Sequence, residues 1–202
     1  MAEVVLCYHA VSPTWEHRLA IKPDLLLRQV RLLNRIRRVR ASFDDAYRSA
    51  ASMFPQLERM GVPVQVFVCT SNARSGAPLS IPELAGDDPE QLATLTWDEL
   101  RAVEVGSHGV THAHLTQLSD AELRNELVDS KQAVEDELGR ACPEFAYPYG
   151  EHDQRVRAAV RAAGYERAYG LVDDGRDRYA LRRLDLYRRH TPVRALLRLA
   201  VW

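Results

Sequence analysis

Three short clusters hold side chains able to do chemistry together: Phe43-Asp44-Asp45, Ser107-His108-Gly109-Val110-Thr111-His112 and Tyr147-Pro148-Tyr149-Gly150. His108 and His112 are four residues apart, so one helical turn between them would bring both imidazoles to the same side. Two histidines and one carboxylate make a zinc ligand set that leaves a position open for water. Water on such an ion has its pKa lowered to about 7, which makes a nucleophile at neutral pH. Each cluster also has a plainer reading alone. Paired aspartates cap helices, a His-x3-His pair occurs on polar surfaces, and Pro-Tyr-Gly forms turns. Asp173-Asp174-Gly175 repeats the aspartate pattern in what reads as an ordinary turn. All three clusters in this order are far harder to obtain by chance.

The elements that must carry these clusters alternate between strand and helix. Residues 4–8 form an apolar strand with His9 at its C-terminal end, 62–68 read as the clearest strand, and 103–106 as a short one leading into Ser107-His108. Residues 165–171 and 179–186 can each supply a further strand. Helical spacing runs over 25–39 (Leu26, Val30, Leu33, Ile36), 47–60 with Gly61 as the stop, 153–163 and 193–199. Ser119 with Glu122 caps a helix over 120–138 that ends at Gly139, and Thr96 with Glu99 starts another. Residues 71–95 read as the longest loop. Such alternation predicts βα units around parallel strands, where reactive groups collect at C-terminal strand ends. With no internal repeat and no linker, residues 1–202 read as one α/β domain.

Composition bounds the rest. The chain has 202 residues, 46% hydrophobic and 27% charged, with a formal net charge of −1. These are globular values, and they give no global electrostatic case for binding nucleic acid. Only Lys22 and Lys131 are lysine among 27 basic residues, which fits a GC-rich codon bias better than phosphate recognition. No apolar run approaches the roughly 18 residues of a membrane span. No signal peptide is visible, and three cysteines (Cys7, Cys69, Cys142) suggest buried free thiols, so a cytoplasmic location is expected.

The clusters resemble the motifs of the polysaccharide deacetylases, carbohydrate esterase family 4. The likeness rests on Ser42-Phe43-Asp44-Asp45, on Gly106-Ser107-His108 with Thr111-His112, and on Phe145-Ala146-Tyr147-Pro148-Tyr149-Gly150. It extends to Tyr8-His9, Leu95-Thr96-Trp97 and Ala163-Gly164-Tyr165. The resemblance implies a single-domain distorted (β/α) barrel. It also implies a divalent metal, usually zinc with cobalt, nickel or manganese as substitutes, held by Asp45, His108 and His112. Asp44 would be the general base and the Tyr149 backbone N–H an oxyanion donor. The reaction would remove an N-acetyl group from an amino sugar. A cytoplasmic setting favours a small or carrier-linked saccharide over a wall polymer, with no stable membrane association. A deformylase or amidase for a non-sugar amide, and a saccharide binder without activity, are the alternatives.

Three positions depart from the family pattern. The usual glycine after the aspartate pair is Ala46, a mild change if φ is negative there. The arginine expected to pair with the base is replaced by Ala146, and Arg183 is the favoured substitute. The late Leu-x-x-His element has no clear match, so His9 and His190 compete as general acid, with His190 expected on a solvated basic surface. His17, His114 and His152 read as loop residues. In the last helix Val193, Leu196 and Leu197 are expected to cover the barrel while the arginines face water.

Overall fold

The computed structural model describes residues 3–171 and 177–200, so the turn expected at Asp173-Asp174-Gly175 lies outside the described residues. The chain begins with β1 (Val4–Tyr8), β2 (Ala10–Val11), β3 (Ala20–Ile21), α1 (Pro23–Asn34) and β4 (Val39–Phe43). A 3-10 turn, Arg48–Met53, runs into α2 (Phe54–Arg59), followed by β5 (Val64–Val68). Then come α3 (Thr70–Ala73), α4 (Pro89–Leu92), α5 (Trp97–Leu100), β6 (Glu104–Ser107) and α6 (Asp120–Leu138). The last elements are β7 (Glu144–Ala146), α7 (Gln154–Ala162), β8 (Arg167–Gly170), β9 (Leu181–Arg182), β10 (Leu184–Asp185) and α8 (Pro192–Ala200). The main sheet has eight strands in the order β10-β1-β4-β5-β6-β7-β8-β9. The chain divides into two compact units. One draws on the chain up to Gln65, on Pro78–Thr94 and on the chain from Arg183 onward; the other comprises Val66–Ala77 and Leu95–Arg182. No helix among the described residues is long and apolar enough to cross a membrane.

In the first unit, β1 is buried along its whole length and pairs in parallel with β4 and β10. The register sets Tyr8 opposite Phe43, so His9 and Asp44 follow the same ends of two neighbouring strands. Helix α1 buries Leu26, Gln29, Val30 and Leu33 but stops at Asn34, short of the expected 39. Val39 instead opens β4 opposite Val4, and Ile36 sits in the intervening turn, 46% exposed. Helix α8 packs against α1, and small Ala195 is its buried residue. Val193 and Leu197 are 63% and 62% exposed, which corrects the expectation that they cover the barrel. They lie one turn apart on a row rotated away from Ala195.

In the second unit, β6, β7, β8 and β9 pair in parallel, with Ser107 opposite Phe145 and Phe145 opposite Ala168. Gly106 is required in β6: a Cβ there would meet the Phe67 ring at 2.4 Å and the Glu144 carbonyl at 2.9 Å. Both expected capping boxes are present, Thr96 with Glu99 and Ser119 with Glu122, and Gly139 ends α6 in the left-handed region. Ser107 Oγ lies 2.8 Å from Ser130 Oγ, tying β6 to α6. Two local expectations need correction. The stretch 71–95 contains α4 and a 3-10 turn, Pro82–Leu84, rather than loop alone. The strand expected over 179–186 is broken into β9 and β10, which pair with different neighbours, and Arg183 sits at the break.

Candidate active site

In the first unit, Asp44 leaves the end of β4 with its N–H donated to the Tyr8 carbonyl at 2.9 Å. Arg183 grips its carboxylate with both terminal nitrogens, Nη1 to Oδ1 and Nη2 to Oδ2, each at 2.6 Å. Both side chains are buried, and Nη1 also donates to Ser42 Oγ at 3.2 Å. A bidentate pair of this kind fixes the plane of the carboxylate as well as its position. Burial, the largest single influence, lowers the Arg183 pKa, but the charge and hydrogen bonds of Asp44 together with Cys7 and Asp185 outweigh it and raise the pKa on balance. Cys7 Sγ lies 3.6 Å from Asp44 Oδ2; burial pushes this thiol well above its ordinary pKa, so it stays a neutral S–H donor. Ligand-type atoms of Cys7, His9 and Asp44 all lie within 4.8 Å of one another. His9 Nδ1 is buried and has no hydrogen-bond partner among the described residues, while its ring stacks on Tyr187 at 6.2 Å between centroids.

In the second unit, His108 follows β6 and donates its N–H to the Val68 carbonyl at 2.9 Å. Its Nδ1 lies 2.7 Å from the Ala146 carbonyl at the end of β7. A carbonyl can only accept, so Nδ1 carries the proton and the lone pair belongs to Nε2, the arrangement a metal-ligating histidine adopts. His112 is reached by a loop and not by the expected helical turn, with Gly109 and His112 both at positive φ. The two rings still meet edge to face at 5.0 Å. His112 is also edge-on to Tyr149 at 4.5 Å, and Tyr149 lies flat against His114 at 3.7 Å with the rings 5° apart. His114, expected as a loop residue, thus backs Tyr149 and pairs through Nδ1 with Glu151 at 3.1 Å.

Glu126 holds the loop between the two histidines. Its carboxylate accepts from the backbone N–H of Val110 at 2.7 Å and of Thr111 at 3.1 Å, and from Thr111 Oγ1 at 2.6 Å. Sequence reasoning passed over this residue. The signal was there: a glutamate falls on the buried stripe of α6 with Leu123, Leu127, Ser130 and Val134. Cys7 was read only as a buried thiol, and Tyr187 was not singled out.

Backbone strain marks the same positions. Among the described residues, the non-glycine residues with positive φ are Asp45 (65°), Ala46 (54°), His112 (63°) and Tyr149 (58°). Such conformations cost of order 1–3 kcal/mol each and persist where the surroundings impose them, commonly at functional sites. Ala46 therefore does not have the negative φ under which losing the family glycine would be mild. His190 is buried, not solvated as expected. Its Nδ1 accepts from the Tyr187 N–H at 3.0 Å, and its pKa is lowered by burial, with Arg198, Arg189 and Arg194 adding to the effect. His152 packs on Tyr147 at 4.7 Å and His17 on Trp15 at 5.0 Å.

The fold and these strand-end groups define a class, the distorted (β/α) barrel with its chemistry at the C-terminal ends of parallel strands. A profile of the family described as polysaccharide deacetylase matches residues 34–168, and the chain belongs to that family. Solved structures share the fold across nearly the whole chain. Deacetylase PplD of Streptococcus pyogenes, in complex with acetate, is 19% identical with a TM-score of 0.77, covering 96% of each chain. IcaB from Ammonifex degensii is 21% identical with a TM-score of 0.73, covering 99% of this chain and 96% of that one. BC0361, a polysaccharide deacetylase from Bacillus cereus, is 16% identical with a TM-score of 0.77, covering 98% of this chain and 68% of that one.

Proposed function

We propose that residues 1–202 form one catalytic domain that removes an N-acetyl group from an amino-sugar substrate with the help of a divalent metal. The observation that carries this reading is the set of strained, non-glycine positions: Asp45, His112 and Tyr149 each hold a left-handed backbone. Asp45, His108 and His112 would hold the ion; they are buried and offer one carboxylate oxygen and two imidazole nitrogens. That donor set suits zinc and leaves room for a further ligand, and the Nδ1 proton of His108 fits ligation through Nε2. When bound, the ion supplies Lewis acidity that lets water attack an amide carbonyl at neutral pH.

The chain's own residues do the rest. Asp44 takes the proton of the attacking water on its carboxylate. Arg183 and Cys7 hold that carboxylate still. The Tyr149 N–H donates to the oxyanion as the carbonyl carbon becomes tetrahedral, a contribution of about 3 kcal/mol for a well-placed donor. His9, beside Asp44 with an unpaired ring nitrogen, is the group to protonate the leaving amine. Acetate and a free amine result. The three buried free cysteines suit a reducing compartment, which supports a cytoplasmic, small or carrier-linked saccharide as substrate.

Acetate release from N-acetylated sugars by the zinc-reconstituted protein tests the reading. Asp44→Asn should keep the metal and lose about 10²–10⁴-fold in kcat, the usual worth of a positioned acid–base group. His108→Ala should lose metal and turnover together. Unchanged kcat in Asp44→Asn on a verified substrate refutes the assignment of the base.

A further inference from the structure

Beside His9 the first unit contains a cavity of about 540 Å³ lined by Glu16, Arg18, Tyr187, Arg188 and Arg189. Its size falls within the roughly 300–1,000 Å³ of small-molecule sites. It is reached from the reacting carboxylate in two short steps. His9 and Asp44 bring ligand-type atoms within 4.8 Å of each other, and the His9 ring stacks on Tyr187 at 6.2 Å. The mechanism proposed above uses none of the lining residues.

The lining is cationic. Arg188 is ion-paired with Glu16, so those two charges offset each other. Among the described residues, Arg18 and Arg189 make no ion pair, which leaves two guanidinium groups facing one small cavity. Arg189 is restrained over the Tyr187 ring at 5.5 Å. Tyr187 is in turn fixed by its backbone N–H bond to His190 Nδ1 at 3.0 Å. Stacking on an aromatic ring limits a guanidinium to few orientations, so less freedom is lost when it takes up an anion. An uncharged sugar has no need of two unpaired planar cations, whereas a phosphoryl group can accept two N–H bonds from each.

We propose that the substrate is an N-acetylated sugar bearing a phosphate or diphosphate, and that this cavity binds the anionic group while the acetamide lies at Asp44. The inference rests on the deacetylase reading and names its substrate class. Arg18 and Arg189 bind the anion and determine specificity. A nucleotide-linked and a lipid-carrier-linked sugar present the same diphosphate chemistry, and both satisfy the site.

Equilibrium titration of the zinc-reconstituted protein with N-acetylglucosamine 1-phosphate and with N-acetylglucosamine tests this. The phosphorylated sugar should bind about a hundredfold more tightly, a margin two charge-assisted contacts at about tenfold each supply, and the margin should shrink as salt rises. Arg18→Gln and Arg189→Gln, both at exposed positions, should each remove about tenfold of it and leave the neutral sugar and the melting temperature unchanged. Titration with UDP-N-acetylglucosamine and with a short-chain prenyl diphosphate N-acetylglucosamine then tells the two carriers apart by which is preferred. Equal affinity for the phosphorylated and neutral sugars overturns the proposal, as does an equal loss for both in the arginine variants. Phosphate-selective binding without acetate release from any of these sugars would refute the deacetylase reading and leave the anion site standing.

Discussion

The two units hold their reactive groups by opposite means. In the first, the Asp44 carboxylate is locked by a buried ion pair with a residue 139 positions away. In the second, the His108–His112 loop is held by hydrogen bonds to a carboxylate only 15 and 16 positions further on. The first arrangement matches charge in a dry environment, so losing either partner strands the other. The second satisfies backbone N–H groups that would otherwise be left without an acceptor, and its failure changes the shape of a loop. One device fixes the proposed proton acceptor and the other fixes the spacing of the two proposed metal ligands.

Breaking the first device should have the largest effect. Arg183→Ala leaves Asp44 as a buried charge without its cation and should cost about 3–5 kcal/mol of stability. For a chain of this size each kcal/mol is about 2–4 °C, so a melting curve should fall by roughly 10 °C. Arg183→Lys should recover part of the stability, since it restores charge without the two-pronged grip. A melting temperature unchanged in Arg183→Ala would mean that the pair contributes nothing net.

Breaking the second device should be milder for the fold and sharper for the metal. Glu126→Ala leaves the Val110 and Thr111 N–H groups unsatisfied, at about 1–3 kcal/mol. Residues that orient metal ligands are typically worth about 10- to 100-fold in affinity, so zinc titration should show a loss in that range. Wild-type zinc affinity in the variant would show that the loop holds its shape unaided.

The smallest change probes strain that both units share. Ala46→Gly removes the Cβ from a left-handed position and should stabilise by about 0.5–1 kcal/mol after the entropy glycine adds to the unfolded chain. A rise of about 2 °C in the melting temperature is expected, with turnover unaffected. A fall would show that the surroundings already accommodate the methyl group.

What could be read from the sequence follows the same divide. The capping boxes of α5 and α6 were legible because each partner is three residues away, and the strand ends carried their clusters in plain order. The candidate metal-type residues stood out because His108, His112 and the aspartate pair sit inside short motifs. Arg183 could be suspected only as one of several arginines near 179–183, because nothing local marks a break between β9 and β10. Glu126 hid among the many acids of α6, where only its place on the buried stripe set it apart. The last helix misled because its apolar residues fit a buried stripe, whereas the residue it buries is Ala195. His190 misled for a related reason: arginines on both sides suggested solvent, yet the backbone of Tyr187 needed an acceptor.

The 139-residue separation of Asp44 and Arg183 also has a consequence in time. A ribosome adding about 5–20 residues per second delivers the arginine some ten seconds or more after the aspartate. Over that interval β1 and β4 are already synthesised, but burying the carboxylate would leave a charge without its counterion. Burial of Asp44 before Arg183 is available therefore carries the cost of an uncompensated charge. Closure of the long intervening loop is entropically slow, and it falls late in folding. Burial of the residue proposed to activate water thus waits on a partner synthesised near the end of the chain.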